Sequence, residues 1–145
     1  MAEPITVAIE VAKKAGQFLL ESKGKLSESE INEKTRNDFV TRVDHQSEQL
    51  IVDTLLSHFP EHPVLAEERG ATSRTREEYR WIIDPLDGTK NYIQDIPVFC
   101  ISIALEKNGQ IILGVVYDPV HDELFSAEMG QGAYCNEVPI KVSQR

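Results

Sequence analysis

Three runs of β-branched and aromatic residues follow one another with little between them: "VFCISIALE" (98–106), "QIILGVVYD" (110–118) and "ELFSAE" (123–128). Side chains of this kind pack well on the pleated, half-buried surface of a sheet. The first two runs are joined by "EKNGQ", whose Asn-Gly pair is the strongest short-range hairpin signal. "YDPVHDE" makes a second turn, Gly130 and Gly132 a third break, and "AYCNEVPIKV" reads as a final short hairpin. "WIID" at 81–84 adds a strand in front. Hairpin connections this short force neighbouring strands to run antiparallel, so the second half of the chain is committed to a meandering sheet.

The first half has a different period. Ile5, Ala8, Ile9, Ala12, Gly16, Leu19 and Leu20 recur at helical spacing, predicting a helix from Ile5 to about Ser22. Pro4 suits its first turn, and Gly24 is a plausible stop. The polar stretch "KGKLSESEINEKTRN" (23–37) reads as a surface connection. Phe39, Val40 and Val43 suggest a short strand-like approach. Asp44 then has the character of an N-cap. It opens a helix carrying Leu50, Ile51, Leu55 and Phe59, which Pro60 and Pro63 close. Two helices before a run of hairpin-linked strands predict an α+β fold, with the two main helices packed on one face of a mainly antiparallel sheet.

At 145 residues the chain suits one domain with a real core. Its net charge of −9 disfavours a general binder of nucleic acid or anionic membrane. Cys100 and Cys135 lack metal-binding spacing and read as reduced thiols, which fits the cytoplasm. The start of the chain lacks a signal-peptide pattern, and no apolar run is long enough for a membrane span.

The chemistry concentrates in "WIIDPLDGTKNY" (81–92), where Asp84 and Asp87 interrupt an apolar run. Pro85 pushes Asp84 toward an extended conformation, so the strand is predicted to end there. Gly88 and Thr89 follow where a turn or helix begins, with free N–H groups suited to a phosphate oxygen. The string "DPLDG" alone is also compatible with a turn whose aspartates are capping residues. A hard cation such as Mg²⁺ takes carboxylates, waters and substrate phosphate, and one loop cannot supply enough ligands. Glu67 and Glu68 in "LAEERG" are the best candidates to converge on it, and Asp44 is the next. The four histidines show no pairing with a Ser or Cys nucleophile and read as surface or capping residues, and Trp81 reads as a core anchor.

The stretch resembles the signature of the inositol monophosphatase family, W-x-[IV]-D-P-[IL]-D-G-T followed by Asn and an aromatic. The likeness continues to "GQGAYCNEVPIKVS". These are Mg²⁺-dependent, lithium-sensitive phosphatases, commonly dimeric. The resemblance implies a first metal held by Glu67, Asp84 and the main-chain carbonyl of Leu86, with Asp84 and Asp87 binding a second. It implies phosphate held by the backbone of Gly88 and Thr89. The Thr89 hydroxyl would contact Asp44 and help orient the attacking water, and Lys34 would lie near the site on a flexible loop. Glu68 falls to a supporting or surface role.

Members of that family are nearly twice this long, and their second half carries a W-D-x-x-[AG] stretch that nothing here matches. The expectation is therefore a metal-binding N-terminal α+β domain spanning 1–145, without the family's C-terminal α/β domain. The implied reaction is hydrolysis of a small phosphomonoester by metal-activated water, most like inositol 1-phosphate. Turnover by these residues alone should be weak or nil. The alternatives are a fructose-1,6-bisphosphatase, a 3′-phosphoadenosine phosphatase, or a non-catalytic half that binds a cation or partner. Expected partners are a small phosphorylated metabolite and a second copy in a homodimer, not nucleic acid or membrane.

Overall fold

The computed structural model describes residues 3–27, 33–66, 70–71 and 78–144. Helix α1 (Pro4–Ser27) and helix α2 (Glu33–His58) precede strands β1 (Val64–Ala66), β2 (Gly70–Ala71) and β3 (Tyr79–Asp87). A short helix α3 (Thr89–Ile93) leads into β4 (Cys100–Lys107), β5 (Gln110–Asp118), β6 (Glu123–Glu128), β7 (Gly132–Cys135) and β8 (Val138–Ile140). Among the described residues these strands form one sheet in the order β2-β1-β3-β4-β5-β6-β7-β8. Every pairing is antiparallel except β1 with β3. The expected α+β architecture is the one observed, with α1 lying over β4, β5 and β6 and α2 over β1 and β3.

The helices are longer than their apolar residues suggested. α1 passes through Gly24 to Ser27 rather than stopping there. A lone glycine costs a helix only about 1 kcal/mol, too little to end one that is docked along its length. The larger correction concerns α2. The strand-like approach at Phe39–Val43 is helix, and Asp44 sits mid-helix instead of capping it. The buried residues are Val40, Val43, Asp44, Ser47, Glu48, Ile51, Val52 and Leu55. They recur at three and four, a continuous helical stripe that three polar side chains had disguised. Lys34 falls in the first turn of α2, on exposed helix rather than on a loop.

The core is the face of the sheet beneath the helices: Trp81, Ile83, Ile101, Ile103, Leu105, Leu113, Val115 and Tyr117, all buried. Trp81 is the anchor expected of it, fully buried with its ring 5.8 Å from that of Phe59. The hairpin at Asn108–Gly109 has positive φ at both residues, as its sequence required.

α1 settles on β5 through Gly16. A β-carbon there would fall 2.5 Å from Cε2 and 2.6 Å from Cδ2 of the buried Tyr117 ring, and 3.0 Å from Pro119. Gly16→Ala should therefore destabilise the fold by about 1–3 kcal/mol, as overpacking does. Gly24→Ala, where a β-carbon meets nothing within 4 Å, should instead stabilise it by roughly 0.5–1 kcal/mol. Urea unfolding of the two variants checks the opposite signs.

Candidate metal and phosphate site

β3 does not end before Pro85, as the sequence suggested; it continues to Asp87 through an irregularity. Asp84 pairs with Ser102 of β4 and Asp87 with Cys100, so three steps along β3 match two along β4. Proline has no N–H to give to the ladder, and here that gap is accommodated as a bulge. The bulge has a consequence for the aspartates. Side chains alternate across a strand, so residues three apart would point to opposite faces. One inserted residue reverses that parity. Asp84 and Asp87 thus share the sheet face of their partners Ser102 and Cys100, away from the helices.

Local contacts hold the bulge in place. The Leu86 N–H donates to Asp84 Oδ1 at 3.3 Å, fixing that carboxylate over its own turn. From α2, the buried Ser47 hydroxyl donates to the Pro85 carbonyl at 2.8 Å. Asp44 and Glu48 lie one turn before and one residue after Ser47 on the same stripe, only 8% and 3% exposed. Two buried carboxylates therefore enter the helix–strand contact that carries the Asp84–Asp87 bulge. Lys34 stands ten residues before Asp44, about 15 Å of helix rise.

Beyond the bulge, Gly88 takes the left-handed conformation (φ 97, ψ 40) and α3 begins at Thr89. The Tyr92 N–H closes the turn onto the Gly88 carbonyl at 3.0 Å. Cys100 lies beside the acidic pair, its Sγ 4.0 Å from Asp87 Oδ2. Its thiol is pushed up to about 11, first by burial and then by the charges of Asp87, Asp84 and Asp118. All three carboxylates thus bear on one point of the sheet.

Glu67 and Glu68 lie outside the described residues. Among the described residues no three His, Cys, Asp or Glu side chains are gathered closely enough to hold a metal ion. The expected set needs Glu67 as its third carboxylate. Of the sequence candidates, Asp84, Leu86, Asp87, Gly88 and Thr89 are continuous in one bulge and turn, with α2 bringing its Asp44 stripe against it. The sequence reading missed Ser47, Glu48 and Cys100. The first two could have been found from their spacing of three and four after Asp44. Cys100 had no local signal, since only the β3–β4 register brings it to Asp87.

His121 Nδ1 lies 2.8 Å from Asp118 Oδ2 at a turn, and His45 and His58 are exposed. His62 stacks on Phe59 and packs at a tilt against Tyr79 near the start of β3. Among the described residues no helix is long and apolar enough to cross a membrane.

A model of the inositol monophosphatase family matches residues 1–145. The chain is 48% identical over 138 residues to a protein of Aquifex aeolicus named fructose-1,6-bisphosphatase/inositol-1-monophosphatase, covering 92% of this chain and 52% of that one. It is 42% identical over 138 residues to "Nus factor SuhB" of Vibrio cholerae, covering 95% and 52%. Among solved structures it resembles the extragenic suppressor protein SuhB of Bartonella henselae, with a TM-score of 0.85 at 38% identity, over 97% of this chain and 54% of that one. The chain thus spans about half the length of the relatives it matches. With the bulged aspartate pair and the glycine turn embedded in that likeness, the chain belongs to the inositol monophosphatase family.

Proposed function

We propose that these residues form the metal- and phosphate-binding half of a Mg²⁺-dependent phosphomonoesterase, with inositol 1-phosphate as the leading substrate. The observation that carries the reading is the β3 bulge, which turns Asp84 and Asp87 to one face immediately before the left-handed Gly88 turn. A cation's ligands and an anion's donors are thereby offered within six residues. The donor set suits Mg²⁺, being carboxylate and carbonyl oxygens. Glu67, Asp84, Asp87 and the Leu86 carbonyl would hold it. When bound it supplies Lewis-acid stabilisation of the charge on the phosphoryl and departing oxygens.

The chain's own groups do the rest. The N–H groups of Gly88 and Thr89 take phosphate oxygens and fix the phosphorus in place. Glu67 and the Thr89 hydroxyl, with Asp44 behind, orient the water that attacks in line. Lys34, exposed in the first turn of α2, would act from the rim of the site. The sheet face away from the helices exposes Val116, Phe125, Val138 and Ile140, an apolar surface suited to a second, α/β half. That half would supply the remaining ligand and the contacts that choose the substrate.

A second reading has support in the name "Nus factor SuhB" carried by a relative at 42% identity: a binding role in which turnover is secondary. The net charge of −9 argues that such binding would be to protein rather than directly to nucleic acid. Phosphate release from inositol 1-phosphate, fructose 1,6-bisphosphate and 3′-phosphoadenosine 5′-phosphate, with Mg²⁺ and with added Li⁺, separates the readings. In a chain extended to the length of its relatives, the expected result is Mg²⁺-dependent release that lithium inhibits. Mg²⁺-induced stabilisation without turnover on any of the three esters favours the binding role and overturns the hydrolase.

A further inference from the structure

α3 is five residues long, far below the length at which a helix holds itself together in water. Its conformation is therefore imposed by neighbours: α2 packs against it, and α1 adds a hydrogen-bonded grip. The Tyr92 hydroxyl, fully buried, donates to the Leu19 carbonyl at 2.8 Å. One turn further along α1, Lys23 Nζ donates to the Tyr92 carbonyl at 2.7 Å and stands 4.9 Å from the centre of the same ring. Lys23 also pairs with Asp95 at 3.0 Å, just past the end of α3. The Lys23 side chain is 18% exposed and that of Asp95 84%. The contacts to Tyr92 therefore outweigh the solvent-screened pair.

Tyr92 is also the residue whose N–H closes onto Gly88. Lys23 thus grips, at its carbonyl end, the residue whose N–H ties α3 back to the left-handed turn. A cation at this end also complements the partial negative charge of the helix carbonyls. We propose that Lys23 is a positioning residue for phosphate: by clamping Tyr92 it fixes the direction of the Gly88 and Thr89 N–H groups. This rests on the phosphatase reading, which gives those donors their ligand. Lys23 belongs neither to the proposed metal ligands nor to the proposed phosphate donors, so its effect should fall on the anion and spare the cation.

The test compares Lys23→Met, which keeps the packing of the stem, with Lys23→Arg, which keeps charge and donors. Calorimetry on the full-length chain measures inorganic phosphate binding in saturating Mg²⁺, and Mg²⁺ binding separately. The expected result is phosphate affinity about tenfold weaker in Lys23→Met, equivalent to about 1.4 kcal/mol, with Mg²⁺ affinity unchanged and phosphate affinity restored in Lys23→Arg. A lower melting temperature with phosphate affinity intact overturns the inference, as does an equal loss of both affinities. Should Lys23→Met fail to fold, Lys23→Gln removes the charge and shortens the reach to the Tyr92 carbonyl, and should weaken phosphate in the same direction. Unchanged phosphate affinity there also overturns it. If the parent chain binds no phosphate in Mg²⁺, the phosphatase reading itself fails and takes this inference with it.

Discussion

Asp84→Asn should lower Mg²⁺-dependent phosphate release by about a thousandfold while leaving the fold intact. The substitution keeps the size of the side chain and an oxygen that can still accept the Leu86 N–H, now received by Asp84 Oδ1 at 3.3 Å. What it removes is the charge at the one position expected to serve both metals. Charge stabilisation by a bound cation contributes several kcal/mol to such a reaction, and each 1.4 kcal/mol is about a factor of ten in rate. Asp53→Asn is the control, because Asp53 lies on the exposed side of α2, bonded to Gln49 four residues away. Steady-state phosphate release in a chain of its relatives' length checks both. Activity within tenfold of the parent in Asp84→Asn would remove that residue from the site.

Gly88→Ala should damage both stability and phosphate binding. At φ 97 the backbone lies where a β-carbon is disfavoured by roughly 1–2 kcal/mol. The added atom would also sit 3.0 Å from the Val98 carbonyl oxygen and 3.3 Å from Phe99 Cα. Neither neighbour is free to retreat. The Val98 oxygen accepts from Asn91 Nδ2 at 2.8 Å, and Phe99 is buried with its ring 5.0 Å from Tyr92. Together these suggest a loss of about 2–3 kcal/mol, or a melting temperature lower by roughly 5–10 °C for a chain of this size. The turn that survives would present its N–H groups differently, and phosphate affinity should fall at least tenfold. A variant that melts with the parent would show that Gly88 is not strained, and calorimetry with inorganic phosphate reports the second effect.

Much of the fold was legible because its signals are local. The Asn108–Gly109 hairpin and the runs that became β5 and β6 are written in turn chemistry and side-chain alternation over a few residues. Pro4 marked the start of α1 for the same reason. α2 was misread where its buried stripe carries Asp44, Ser47 and Glu48. A carboxylate in a buried position looks like the end of an element when nothing in the sequence says what it faces. The bulge was hidden as well: Pro85 forbids one ladder bond, but whether the strand then stops or bulges depends on the strand beside it.

The sequence by itself determined that two apolar-striped helices precede an antiparallel meander, and that Asp84, Asp87, Gly88 and Thr89 lie within six residues of one another. Propensity, turn geometry and spacing are properties of neighbours in the chain. Only the tertiary structure decided that the two aspartates share a face, that Ser47 holds the bulge to α2, and that Lys23 holds α3 to α1. Those facts follow from strand register and helix packing, which join residues 13 to 69 positions apart and are set by burial of the whole core rather than by any short stretch of it.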